Sequence, residues 1–165
     1  MTNHIKSNIE QRYQYRESGL DNVFIYGGFE KIDSPYGESV AIRDLKGLHQ
    51  CIAQCLVEKP SPLTGAEFRF LRTELDLSQY AMGQLCGREE RSVRNWETRE
   101  EHVDEPANTI IRFVYTQRFN PSANFEELSK NIQLLQHVDR ELHEMKLRNT
   151  ASGWKPAQCL EAQAA

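Results

Sequence analysis

The chain has 165 residues, of which 39% are hydrophobic and 27% charged, a composition that supports a folded core and excludes wholesale disorder. It contains neither an apolar run of signal length near its start nor the roughly 20 apolar residues that span a bilayer, so we expect no membrane partner and a cytoplasmic location. The net charge of −4 argues against a uniformly basic protein, although nucleic-acid binding depends on local potential rather than on the whole-chain sum.

The N-terminal part of the chain carries β-strand signals. Residues 23–26 and 29–32 are short β-favouring runs separated by Gly27-Gly28, a dipeptide suited to the positive φ angles of a tight hairpin turn. Residues 34–37 are a second turn signal, and residues 38–42 alternate like a third strand. These runs predict a small antiparallel sheet.

A helix is predicted after the strands. Apolar residues recur at three- and four-residue spacing between Leu45 and Leu56, which predicts a helix of about 14 residues that covers one face of the sheet. This helix must end before Pro60 and Pro62, because proline cannot continue a helix. We therefore expect an N-terminal α+β domain over residues 12–59, with its boundary at these prolines.

Two short helices are predicted next. Thr64 and Glu67 have the spacing of a capping box, which starts a helix. Ser78 is suited to cap a second helix, and Gly87 ends it and supplies the turn. The residues predicted to face the core are Phe68, Leu71 and Leu75 in the first helix and Ala81, Met82 and Leu85 in the second.

A third short helix is predicted from about Glu89 to Thr98. Val93 and Trp96 lie three residues apart on its buried side, and core packing is favoured for Trp96 over stacking on a base. This register leaves polar side chains facing outward, namely Arg91, Arg94 and Asn95.

The order of these signals resembles a known family. The runs 70–72, 77–79, 82–87 and 92–97 resemble the lambda-repressor-like (XRE) helix-turn-helix regulators, whose usual pattern is LRxxxxLSQxxLAxxLGVSxxTVSRWExG. Roughly a quarter of the chain is covered, and cap, glycine, tryptophan and glutamate fall in register. Two departures are the threonine that follows the Trp-Glu pair in place of glycine and the carboxylates at positions 89, 90, 100 and 101, which lie near the expected phosphates.

The resemblance implies which residues contact DNA. In that family the residue matching Gln79 opens the second helix and touches the DNA backbone, while the third helix reads bases. The chemistry of these side chains agrees with base contact in the major groove. An arginine guanidinium can donate to the two acceptors of guanine, an asparagine amide can pair with adenine, and a glutamate can accept a hydrogen bond from cytosine. We favour Arg91 and Asn95 as base readers. The full predicted set is Gln79, Tyr80, Glu90, Arg91, Ser92, Arg94, Asn95 and Arg99.

Two more helices are predicted toward the C-terminus. Pro106 is suited to the first position of a fourth helix, whose apolar side would hold Ile110, Phe113 and Val114. Asn124 then begins a long amphipathic helix, which would either pack against its own domain or form a dimer seam.

The predicted fold class is therefore α+β. A small N-terminal antiparallel sheet with one helix (residues 12–59) precedes an all-α lambda-repressor-like helix-turn-helix domain with a long C-terminal helix (residues 63–147). Residues 148–165, which include Gly153 and Pro156, are predicted to form a disordered tail.

The resemblance implies a transcriptional regulator that binds double-stranded DNA. A homodimeric repressor is expected, because one short recognition helix reads too few base pairs to discriminate a site in a genome. The alternative is an antitoxin of a type II toxin-antitoxin pair, which binds a toxin through its N-terminal domain and represses its own operon. The two-module arrangement resembles antitoxins of the MqsA and HigA kind, and residues 63–72 resemble the MqsA-type junction, but the zinc-binding cysteine pairs of the MqsA N-terminal domain are absent.

Catalysis and metal binding are not expected. The aspartates and the five histidines are scattered without the spacing of a nucleophile-base pair or a carboxylate cluster. His49, Cys51 and Cys55 supply only three candidate ligands on one helix face, whereas structural zinc takes four. We therefore predict no enzyme activity, no metal site and no cofactor, and expect all four cysteines to be reduced thiols.

Overall fold

The structure is a computed structural model that describes residues 11–99, 102–122 and 144–157. Across these ranges the protein is mixed α+β, with five α-helices and small β-sheets, so the predicted α+β class is confirmed at that level. The chain divides into two compact units. The first comprises residues 1–17, 21–52 and 143–165, and the second comprises residues 18–20 and 53–142.

The first unit contains two sheets, whose strands are β1 (Arg12–Gln14), β2 (Val23–Tyr26), β3 (Phe29–Ser34), β4 (Gly37–Ile42), β5 (Met145–Thr150) and β6 (Gly153–Pro156). One has four strands in the order β1-β2-β5-β6, in which β2 runs antiparallel to β1 and parallel to β5, and β6 is antiparallel to β5. The other is the antiparallel pair β3–β4.

The hairpin predicted across Gly27-Gly28 is wrong. Both glycines have positive φ, at 69° and 70°, but they connect two sheets, because β2 pairs with β1 and β5 while β3 pairs with β4. A Cβ on Gly28 would lie 2.6 Å from the Cβ of Asn149 in β5. The glycine thus permits a close approach of the C-terminal strands, and β5 takes the edge of β2 that the prediction had assigned to β3.

The predictions for the C-terminus also need correction. Met145 and Leu147 lie in a strand, so the predicted helix does not extend to residue 147, and residues 148–156 form a paired hairpin instead of a disordered tail. The physical reason is that side chains alternate between the two faces of a strand, so that Leu147 is buried there. It lies beside Ile25 of β2 and has no exposed surface. The remainder of the predicted long helix falls in residues 123–143, and the remainder of the predicted tail falls in residues 158–165. Both ranges are outside the described residues.

Helix α1 (Leu45–Glu58) has the predicted position and length. The carboxylate of Asp44 accepts a hydrogen bond from the backbone N–H of Gly47, at 3.0 Å, and caps the helix. In the first unit α1 buries Leu48 completely, and the Nε2 atom of His49 is hydrogen-bonded to the hydroxyl of Tyr15 at 2.8 Å. The division between the units falls after residue 52, within α1, whereas the predicted boundary lay at Pro60 and Pro62.

The second unit is helical in its described part. After the end of α1 come α2 (Gly65–Glu74), α3 (Gln79–Cys86), α4 (Glu90–Thr98) and α5 (Glu105–Phe119). The capping box of Thr64 and Glu67 is present, as predicted. Leu85, which was expected to face the core, is 49% exposed, so that prediction is wrong. The predicted core residues that are buried are Phe68, Leu71, Leu75, Met82, Val93 and Trp96.

Helix α5 buries a different side from the predicted one. The residues expected inside, Ile110, Phe113 and Val114, are only half-buried. The buried side instead carries Ala107, Asn108, Ile111, Arg112 and Tyr115. An apolar pattern alone could not find this face, because two of its members are polar.

Arg112 is the reason for that difference. The residue is 1% exposed, and its guanidinium donates hydrogen bonds to the backbone carbonyls of Val57, Lys59 and Ser61, at 3.1, 2.5 and 2.7 Å. Burial lowers the pKa of Arg112 to about 10. Residues 57–61, which include Pro60 of the predicted domain boundary, are therefore bound to α5 inside the second unit.

Candidate nucleic-acid interface

Helices α3 and α4 are joined by a tight turn that two glycines permit. The Ser78 hydroxyl accepts from the N–H of Ala81 at the start of α3, and Gly87 ends this helix in the left-handed region, with φ 63°. A Cβ on Gly83 would lie 2.7 Å from the carbonyl oxygen of Arg88. The chain can therefore fold back closely over α3 before α4 begins.

An ion pair holds α4 against α2. The Nε and Nη2 atoms of Arg72 donate to the two carboxylate oxygens of Glu97, at 2.6 and 2.8 Å. The Nη1 atom of Arg72 donates to the carbonyl of Leu77, at 2.7 Å, and the side-chain amide of Gln79 donates to Glu97, at 2.8 Å. The buried Glu97 carboxylate thus links α4 to α2 and to the first residue of α3, and its partner Arg72 also binds the α2–α3 connection.

The inner side of α4 packs into the core. Val93 has no exposed surface, and the Trp96 ring meets that of Phe68 edge-on, with centroids 5.6 Å apart. The carbonyl oxygen of Trp96 approaches Gly65 so closely that a Cβ there would lie 1.8 Å away. Core packing of Trp96, as predicted from its register, is confirmed, and the opposite side of α4 faces solvent.

The outer side of α4 carries five of the predicted residues. Arg91 is exposed and makes no side-chain hydrogen bond or ion pair with any described residue. Arg94 is also exposed and pairs with Glu90 one turn earlier, at 2.5 Å. Ser92 and Asn95 are half-buried beside them. The structure therefore places the five residues on one short helix. Of its two arginines before Thr98, Arg94 is paired with Glu90, whereas Arg91 makes no ion pair with any described residue.

The other three predicted residues lie at helix ends. Gln79 and Tyr80 are the first two residues of α3; the Gln79 amide is engaged by Glu97, and Tyr80 is 60% exposed. Arg99 is the exposed C-cap of α4, and its backbone N–H donates to the carbonyl of Asn95. Gln79 is joined to α4 through Glu97, whereas no described contact links Tyr80 or Arg99 side chains to the others.

The predicted site residues omit the pair that positions the site. Arg72 and Glu97 do not face solvent, so reasoning about which side chains can reach a ligand passed over them. Their signal was nevertheless present in the sequence, because both belong to the runs that carry the family resemblance. Charged residues are almost never buried unless they are paired, so an arginine and a glutamate that both fall within apolar helical runs indicate a candidate buried ion pair.

The electrostatics around the turn are mixed. Arg88 pairs with Asp104 ahead of α5, at 2.6 Å, while Glu89 is exposed at the N-cap of α4 and makes no side-chain cap. Burial, followed by the nearby Asp104 carboxylate, raises the pKa of the Cys86 thiol to about 11. This thiol is therefore a poor nucleophile, because the thiolate is the reactive form.

Within the described ranges, no group of three or more His, Cys, Asp or Glu residues could hold a metal ion. No helix there is both long and apolar enough to cross a membrane. A scan against protein-family models finds no match, and searches of curated proteins and of solved structures find none either.

Proposed function

We propose that the protein is a sequence-specific regulator that binds double-stranded DNA, with α3 and α4 acting as a lambda-repressor-like helix-turn-helix and α4 entering the major groove. One observation carries the proposal: the outer side of α4 presents Arg91, Arg94 and Asn95 while the buried Arg72–Glu97 pair fixes the helix behind them. Presenting polar side chains from a rigid helix is what base-edge readout requires.

The spacing on α4 fits adjacent base pairs. Arg91 and Asn95 lie four residues apart, which places them on one helix face about 6 Å apart along the axis. Base pairs of B-DNA are stacked about 3.4 Å apart, so two such side chains address positions one or two steps apart. We propose that Arg91 reads a guanine and Asn95 an adenine in the same half-site.

The start of α3 would contact the DNA backbone. Helix N-termini bind phosphate through backbone N–H groups that have no partner within the helix. Because the side-chain amide of Gln79 is held by Glu97, we propose that Gln79 and Tyr80 use their backbone N–H groups, with the Tyr80 hydroxyl as a further donor. Such contacts position the protein without specifying sequence.

The charge on α4 limits non-specific affinity. The ion pair with Glu90 offsets the positive charge of Arg94, and Glu89 adds an exposed carboxylate at the start of the helix. Binding by one protomer would therefore be weak and strongly selective, and we propose that the active form is a homodimeric repressor on a palindromic site. The segment considered for the dimer seam lies outside the described residues.

The test is binding of the full-length protein to the DNA upstream of its own gene. Fluorescence anisotropy would be recorded at several salt concentrations, with a scrambled duplex of equal length as the control. We expect tighter binding to the upstream DNA and protection of two half-sites about one helical turn apart in a footprint. Equal affinity for both duplexes at every salt concentration would overturn the proposal.

A further inference from the structure

The four-stranded sheet has a buried face and an open face. Side chains alternate along each strand, and Val23, Ile25 and Leu147 on the buried face have no exposed surface. The strand registers bring the alternate residues of neighbouring strands together on the other side of the sheet. The paired residues there are Arg12↔Tyr26, Phe24↔Lys146, Tyr26↔Arg148 and Arg148↔Lys155. This open face includes Arg12, Gln14, Phe24, Tyr26, Lys146, Arg148 and Lys155.

The open face is basic in an acidic protein. It carries four cations, one of which, Arg12, pairs with the carboxylate of Glu144 at 2.8 Å. Lys146 and Lys155 are exposed and make no ion pair with any described residue. The chain as a whole has a net charge of −4. A local excess of positive charge on such a chain is the electrostatic footprint of a polyanion site.

Aromatic rings lie between these cations. Phe24 and Tyr26 occupy the open side of the central strand β2 and are half-buried. The Arg12 guanidinium lies over the Phe24 ring, with its carbon 3.7 Å from the centroid, and the carbon of the Arg148 guanidinium is 5.9 Å from the Tyr26 centroid. The Nε atom of Arg148 is buried without a hydrogen-bond partner among the described residues. The face thus offers flat stacking surfaces, both rings and guanidinium planes.

We propose that the open face binds single-stranded RNA, with bases stacking on Tyr26 and on the guanidinium of Arg12, and with Lys146, Arg148 and Lys155 contacting the phosphates. Splayed bases stack on aromatic side chains and arginine planes, and this is how proteins read single-stranded RNA. A duplex hides its base faces, so the half-buried rings, which keep part of their surface open, favour a single strand over double-stranded DNA. An acidic peptide would satisfy the cations but would leave the rings without a stacking partner.

The experiment uses the full-length protein and a fluorescently labelled single-stranded RNA of mixed sequence, about 12 nucleotides long. Anisotropy titrations would compare the unmodified protein with Tyr26→Leu, which keeps an apolar side chain but removes the ring, and with the double variant Lys146→Glu/Lys155→Glu. Lys31→Glu is the matched control for one charge reversal, because Lys31 is exposed on the other sheet, in β3. Circular dichroism would verify that each variant is folded.

We expect each open-face variant to weaken RNA binding by on the order of tenfold and Lys31→Glu to leave it unchanged. The double variant should also flatten the dependence of log K on log salt by about 0.7 per lost phosphate contact. Arg91→Ala should leave RNA binding unchanged, because Arg91 lies on α4 and not on the open face. Loss of DNA binding in this variant tests the double-stranded DNA proposal separately. A single-stranded DNA of the same sequence is titrated in parallel. No binding of the RNA, binding of this DNA but not of the RNA, or an equal loss in Lys31→Glu would overturn the inference.

Discussion

Arg72 and Glu97 form a bidentate ion pair that joins α2 to α4, with N–O distances of 2.6 and 2.8 Å. The Glu97 side chain is 1% exposed and that of Arg72 13% exposed. Every oxygen of this carboxylate therefore meets a protein donor instead of water. The candidate recognition helix is held by a polar contact that neither partner can lose without leaving a charge or a dipole unpaired in the interior.

Replacing Glu97 with glutamine should lower the free energy of unfolding by about 3 kcal/mol, because the amide keeps the shape but leaves the Arg72 charge uncompensated. Urea unfolding followed by circular dichroism measures this loss. Glu90→Gln is the matched control on the same helix, since its partner Arg94 is 56% exposed, and it should change stability by less than about 1 kcal/mol. Equal losses in the two variants would show that burial does not set the strength of the Arg72–Glu97 pair.

Gly65→Ala should destabilise the second unit, although alanine normally favours a helix. A Cβ at this position would lie 1.8 Å from the backbone carbonyl oxygen of Trp96, which a side-chain rotation cannot relieve. Gly87→Ala is the comparison, because Gly87 has φ +63° but nothing within 4 Å of its Cβ position. It should cost only about 1 kcal/mol of backbone strain. A larger loss of stability in Gly87→Ala than in Gly65→Ala, in the same urea experiment, would contradict this assignment.

Arg112 should tolerate no replacement, lysine included. Its two Nη atoms and Nε reach three carbonyls and the side-chain oxygen of Asn108, whereas lysine has a single donor atom. Both Arg112→Lys and Arg112→Met should lose about 3 kcal/mol or more, since buried carbonyls are left without donors. Chemical unfolding of the two variants measures this loss. The control is Arg118→Lys, because Arg118 lies at the exposed end of α5 and its Nη1 atom donates to a single carbonyl, that of Leu75. Full stability of Arg112→Lys would show that charge alone suffices.

The sequence predicted local elements well and long-range pairing poorly. The capping box of Thr64 and Glu67, the turn at Gly87 and the burial of Trp96 follow from residues within one or two helical turns of each other. The partner of β2 does not, because Val23 pairs with Met145, which lies more than a hundred residues further along the chain. Nothing in the Gly27-Gly28 turn distinguishes a hairpin from a connection between two sheets.

The same distinction applies to the candidate site. Side chains on the outer side of α4 follow from helical periodicity, so Arg91 and Asn95 could be chosen from the sequence. The engagement of Gln79 by Glu97 depends on how helices pack, and apolar periodicity carries no information about it. The buried Arg112 was missed for a related reason: a charged residue is assigned to the surface by default, and only the position of the carbonyls around it explains its burial.

Cys86 should make stability fall at alkaline pH. Its pKa is raised from 9.0 to about 11 in the folded protein, so between these values the unfolded chain loses the proton while the folded chain retains it. The unfolded state is then favoured as pH rises, and the free energy of unfolding decreases through that window. Urea unfolding between about pH 9 and pH 11 should show a steeper decrease for the unmodified protein than for Cys86→Ala. Parallel curves would contradict the burial of this thiol.

Arg91→Ala is the sharpest test of base readout by α4. Since Arg91 makes no side-chain bond or ion pair with any described residue, removing it should leave the unfolding curve unchanged while weakening binding to the specific DNA by about 1–3 kcal/mol and relaxing the preference at one base position. Arg16→Ala, which removes one exposed positive charge from the first unit, controls for the loss of general electrostatic attraction and should leave that preference intact. Anisotropy titrations against a set of single-base variants of the protected half-site distinguish the two. If Arg91→Ala weakens binding to every variant equally, Arg91 contacts phosphate and the base-reading role passes to another residue of α4.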